Sequence, residues 1–109
     1  MLPVELVKLA LRRRTLHRVR GSSMEPTLSD GDLLLVDPRA FSNRPPRPGE
    51  IIVARHPYRE VHMVKRVATI TCTGRIRVIG DNPEDSTDSR AWGSVGPDRI
   101  LGRVTIRVR

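Results

Sequence analysis

The stretch VHMVKRVATITCTGRIRVIG, residues 61–80, decides the fold class. Its first part, 61–73, is dense in β-branched side chains, which suit a pleated, half-buried surface. Its second part alternates: Ile76 and Val78 stand against Arg75 and Arg77. That period of two puts one face inward and one outward. The two runs read as a strand hairpin. Outward from them the pattern repeats. EIIVAR (50–55) and DLLLVDP (32–38) read as strands upstream, and RILGRVTIRV (99–108) closes the chain as another. Between them, FSNRPPRPGE (41–50) is rich in turn formers and HPYRE (56–60) reads as a turn. DNPEDSTDSRAWGSVGP (81–97) reads as loop. Short strands at regular spacing predict an all-β barrel or sandwich.

A chain of 109 residues suggests one domain with a modest core. Phe41, Tyr58 and Trp92 are its aromatic residues, so Val, Ile and Leu must fill most of that core. The net charge of +8 is concentrated in the two end segments, LRRRTLHRVR and GRVTIRVR. Such charge suits nucleic acid or an anionic membrane. The acidic middle argues against a uniformly basic binding sheet. With one cysteine, Cys72, no internal disulfide forms, and a reducing, cytoplasmic compartment is expected. Cys72 is expected half-buried in a strand, with no basic neighbour to activate it.

Residues 1–18 read as a basic N-terminal arm, helical or flexible, ahead of a domain over 19–109. Glu5 and Lys8 interrupt its apolar residues, so it falls short of the ~20 needed for a membrane span. Its arginines follow the apolar run, whereas a secretory signal has its charge first. Leu2, Leu6, Leu9 and Leu16 would mark one face of a short helix that docks or frays. A loose membrane-surface contact is the sharper alternative.

The segment GSSMEPTL (21–28) frames two serines between a glycine and a proline. Gly21 allows positive φ and Pro26 fixes the chain beyond the serines. Such a frame suits a nucleophile, which needs accurate placement. An ordinary serine-rich turn would look the same. A nucleophilic serine needs a base. His17, in the arm, and His56, in a turn, read as solvated. His62 and Lys65 stand three apart on a strand and so face opposite sides. Lys65, among Met63, Val64 and Val67, is the better candidate. If it points inward, burial disfavours its charge and leaves an amine able to take a proton. No zinc spacing, EF-hand or phosphate-binding glycine loop appears, so neither a metal nor a cofactor is expected.

Taken together, GSSMEPTLSDGDLLLVD, PGEIIVARHPYREVHMVKRV and GDNPEDSTDSRAWGSVGPDRILGRV resemble the signal peptidase I superfamily of Ser-Lys proteases, over residues 19–104. The resemblance implies a compact, folded signal-peptidase-like β-barrel. It implies Ser23 as nucleophile, its backbone N–H as an oxyanion donor, and Lys65 as general base. It makes Ser86 the residue orienting the lysine, with Asp88 and Arg90 as braces; a surface ion pair of little energetic value is the plain alternative for the last two. Asp81 and Asn82 open this final box. The substrate would bind as an extended strand, between HMVK (62–65) and the segment before Ser23. Gly21, Met24, Leu28, Met63 and Val64 would line its path, Met24, Leu28 and Val64 forming a small apolar pocket for the residue before the cut.

Gly21 stands where some members have a hydroxyl donor, so a second oxyanion donor is not identified. Membrane-bound members begin with a hydrophobic span that is not seen here. The interval between Lys65 and Asp81 holds a hairpin where large members have an inserted domain. This short form is similar to the nickel-type superoxide dismutase maturation proteases. The resemblance therefore implies removal of an N-terminal leader from precursor nickel superoxide dismutase. The nickel would belong to the substrate. Four alternatives stand beside it: leader processing at a membrane, an autocleaving Ser-Lys domain, an inactive relative that only binds peptides, against which the presence of both Ser23 and Lys65 argues, and a basic nucleic-acid-binding barrel. The scarcity of aromatic residues for base stacking argues against the last, so no nucleic-acid partner is expected.

Overall fold

The computed structural model describes residues 14–85 and 88–108. Six strands form one antiparallel sheet: β1 (Thr15–Arg18), β2 (Leu33–Asp37), β3 (Ile51–Arg55), β4 (His62–Ile70), β5 (Ile76–Ile79) and β6 (Ile100–Val108). Their order is β1-β2-β6-β3-β4-β5. The expected all-β class is the observed one. The five strand runs read from sequence appear as β2 to β6.

Alternation explains how one sheet serves two cores. On β3, Ile52 and Ala54 join Met63, Val67, Ile76, Val78 and Val95 in one cluster. Val53, between them, points the other way and joins Val19, Met24, Leu28, Leu34 and Val36. Aliphatic side chains supply nearly all of both clusters. Each fully buried one contributes about 1.5–3 kcal/mol relative to exposure. The sheet also coils. Gly102 on β6 passes so near β2 that a Cβ there would lie 2.5 Å from the Asp37 carbonyl oxygen, so only glycine fits. At the far side, His17 of β1 and His62 of β4 bring their rings to 5.8 Å.

Several local expectations change. Thr15–Arg18 is a strand paired with β2, because its backbone completes the ladder beside Leu33–Val36. Leu16 therefore lies on an edge strand, 61% exposed, and not on a helix face. Leu2, Leu6 and Leu9 lie outside the described residues. Cys72 is exposed in the β4–β5 turn, since β4 ends at Ile70. The segment after β5 is more structured than a loop. It contains a one-turn helix, α1 (Ser89–Trp92), and buried Val95, which bridges to Ile76.

Candidate active site

The loop carrying Ser23 is tied down at both ends. At its base, the Val19 N–H donates to the Asp32 carbonyl at 2.8 Å and the Gly31 N–H to the Val19 carbonyl at 2.8 Å. Gly21 adopts φ +81°, a region that side chains disfavour, and its N–H reaches Asp30 Oδ1 at 2.7 Å. Met24 and Leu28, 1% and 3% exposed, anchor the loop in the core. The Glu25–Pro26 peptide is cis.

A second clamp comes from the segment after β5. The Asn82 N–H donates to the Ser23 carbonyl at 2.8 Å, and its side-chain amide donates to the Ser22 carbonyl at 3.0 Å. The Thr27 hydroxyl donates to Asp81 Oδ2 at 2.6 Å. Asp81 in turn takes a two-point contact from Arg66, at 2.9 and 2.7 Å. Arg66 holds the Asp81 carboxyl below the usual carboxylate range, with help from Thr27. The Ser22 hydroxyl donates to Asp85. Two peptide planes beside Ser23 are thereby fixed by groups distant in sequence.

Lys65 comes from the other side. The β4 burial pattern alternates, so Met63, Lys65 and Val67 point inward while His62 and Arg66 do not. Lys65 is 6% exposed. Burial pushes its pKa below the ordinary 10.5, and the Arg90 charge pushes the same way; the Asp88 and Asp85 carboxylates oppose this. The expectation of opposite faces for His62 and Lys65 holds.

Asp88 is 1% exposed and bonds in several directions. It accepts from the Gly80 N–H at 2.8 Å, from the Arg90 N–H at 3.0 Å as the N-cap of α1, and from the Arg90 guanidinium at 3.0 and 2.7 Å. It is a buried brace between the end of β5 and the following loop. The plain surface ion pair is therefore not what the structure holds. Ser89 adds a tie, its hydroxyl accepting the Val78 N–H at 2.8 Å. Ser86 lies outside the described residues.

Ser23 and Lys65 line one open cleft of ≈ 1040 Å³, together with Gly21, Met24, Met63 and Val64. Leu28 packs in the core cluster and does not line the cleft. One edge of the β4 segment before Arg66 is unclaimed by β5, whose pairing begins at Arg66. Asp85, Trp92 and His56 are among the cleft residues to which the sequence assigns no role in the site. His56 is not a solvated turn residue. It is half-buried with its ring 5.3 Å from Trp92, and burial lowers its pKa. His17 likewise is half-buried against His62, with a pKa lowered by burial. No local signal foretells these contacts, because residues far apart in sequence create them.

A buried amine and a hydroxyl on a tied-down loop, in one cleft, can perform base-assisted acyl transfer. Among the described residues, no cluster of three His, Cys, Asp or Glu side chains is placed to hold a metal ion. No described helix is long and apolar enough to cross a membrane.

Residues 5–105 match the family model described as Peptidase S24-like. The chain is 34% identical over 108 residues to mitochondrial inner membrane protease subunit 1 of Xenopus tropicalis, covering 81% of this chain and 65% of that protein. It is 28% identical over 149 residues to signal peptidase I of Leptolyngbya laminosa, covering 93% of this chain and 73% of that protein. The match thus spans just under two thirds of the mitochondrial relative's length.

Proposed function

The chain belongs to the Peptidase S24-like family, and from that membership and its cleft we propose that it is a serine endopeptidase working through Ser23 and Lys65. One observation carries the reading. The cleft that Ser23 lines also contains a lysine that is 6% exposed and whose charge is disfavoured by burial.

In this mechanism neutral Lys65 takes the Ser23 proton as Oγ attacks a peptide carbonyl. Lys65 then protonates the leaving amine, and the acyl group remains on Ser23. Water, deprotonated by the same amine, releases it. The backbone N–H of Ser23 is the first oxyanion donor; the Asn82 bond to the Ser23 carbonyl holds that residue's orientation. Ser86 is proposed to orient the amine. Gly21, Met24, Met63 and Val64 contact the bound strand, and the free β4 edge offers it backbone pairing.

The substrate in this reading is a precursor protein that loses an N-terminal leader. The names of the two relatives, an inner membrane protease subunit and a signal peptidase, support processing of that kind. The finer reading is precursor nickel superoxide dismutase. Its support is the short hairpin that joins β4 directly to β5, with no inserted domain between them. A cytoplasmic setting belongs to the same reading and rests on the single cysteine. The test is co-expression with that precursor, followed by mass measurement of its N-terminus. Trimming by wild type and not by Ser23→Ala is expected. An untrimmed precursor in both would remove this substrate, and equal trimming by Ser23→Ala would remove the nucleophile.

A further inference from the structure

Five large apolar side chains stand exposed among the described residues, and three of them gather on the cleft: Leu16 at 61%, Tyr58 at 75% and Val61 at 51%. A single exposed apolar residue needs no explanation, but a cluster at the mouth of a cleft marks a contact surface. The other two, Ile106 and Val108, sit at the end of β6 beside Leu35 and Leu33 and do not line it.

The three come from both walls. Leu16 is on β1, while Tyr58 and Val61 are in the turn between β3 and β4. The His17 and His62 rings, 5.8 Å apart, draw those walls together beside them. Position along the cleft follows from strand geometry. Val61 stands four residues before Lys65. At about 3.3 Å per residue this is about 13 Å from the lysine. Val64, between them, lines the same wall. The open edge of β4 runs through His62–Lys65. A strand added there, with its scissile carbonyl at the Ser23–Lys65 end, carries a residue about four or five positions from the cut onto this rim.

We propose that Leu16, Tyr58 and Val61 form an outer subsite that takes an apolar side chain of the leader, about four or five residues upstream of the bond cut. The inference rests on the Ser-Lys protease reading and deepens it. The occupant is the upstream part of the extended substrate when the added strand runs parallel to β4; an antiparallel strand would bring a downstream residue to the rim and leave the upstream positions without enrichment. This subsite is separate from the pocket at Met24 and Val64 beside the nucleophile. It contributes length selection: a leader too short to reach the rim loses the contact. It also favours an aliphatic or aromatic residue over a charged one.

The test uses a synthetic peptide library with alanine fixed before the cut and the six preceding positions randomised. Cleaved products are sequenced by mass spectrometry for wild type, for the triple variant Leu16→Ser, Tyr58→Ser, Val61→Ser, and for Val61→Ser alone. Wild type is expected to enrich apolar residues about tenfold at the fourth or fifth upstream position, the scale of one apolar contact in an enzyme subsite. Both variants should lose enrichment there. Peptides truncated to three upstream residues should be cut equally by all three proteins. Ile106→Ser, which removes an exposed apolar residue elsewhere, should leave the profile unchanged. No enrichment at those positions, or enrichment that survives in Val61→Ser and the triple variant, would overturn the subsite while leaving the protease reading intact. No cleavage beyond that of Ser23→Ala would overturn the protease reading, and this inference with it.

Discussion

Lys65 and Arg66 are adjacent cations on one strand with opposite fates. Lys65 turns inward, is 6% exposed, and has its charge disfavoured by burial. Arg66 turns to the other face and meets Asp81 at two points, with its charge reinforced by that bond. The period of the strand makes the division. In the proposed mechanism one side chain is given up to chemistry, at a cost in folding energy. Its neighbour repairs the structure, since Asp81 holds Thr27 in the serine loop. One strand thereby buries a lysine in the cleft and, through its neighbour, holds the frame of the Ser23 loop.

The largest expected difference between the two is catalytic. Ser23→Ala and Lys65→Met should each lower kcat/KM by at least about 10⁴-fold, as loss of a nucleophile or its base does elsewhere. Lys65→Met should fold normally and melt no lower than wild type at neutral pH. The sign follows from the lowered pKa. Between the folded value and 10.5 the unfolded chain binds more protons, so stability rises with pH across that window. Below it the burial penalty is complete, and methionine removes it. A clear drop in melting temperature for Lys65→Met would contradict this account.

Next in size is the buried brace. Asp88→Ala should cost about 2–3 kcal/mol in urea unfolding, since it leaves the Gly80 N–H and the α1 N-cap without their acceptor. An effect below about 0.5 kcal/mol would return Asp88 and Arg90 to the surface-pair class. The smaller effect belongs to Arg66→Met, about 1–2 kcal/mol, because its pair with Asp81 is partly solvated. It should also reduce kcat/KM about tenfold by loosening the serine loop. The Asp81 contribution is present at neutral pH and is lost as pH falls through its depressed folded pKa. Arg66→Met variants with wild-type stability and activity would break the proposed division of labour.

The sequence carried the strands well because alternation and β-branching are local signals. Met63, Lys65 and Val67 face inward as that period requires. The box order likewise pointed to one cleft for Ser23 and Lys65. Contacts between loops were less legible. Nothing near His56 announces Trp92, and nothing near Ser22 announces Asp85. β1 was hidden for a different reason: Thr15–Arg18 has little apolar content and becomes a strand by pairing with β2. The resemblance puts Leu28 in substrate contact, yet it serves as that loop's anchor in the core. Cys72 shows the boundary problem, since a β-branched run does not state where its strand ends.

The proposed mechanism turns on the protonation of one amine. Carbon-13 labelled lysine in the folded protein allows the Lys65 side chain to be titrated directly by NMR, with Lys65→Met identifying its signal. The predicted result is a midpoint clearly below 10.5, with kcat/KM rising through the same pH range. A midpoint at or above 10.5, with the ammonium retained wherever the protein is active, would contradict it.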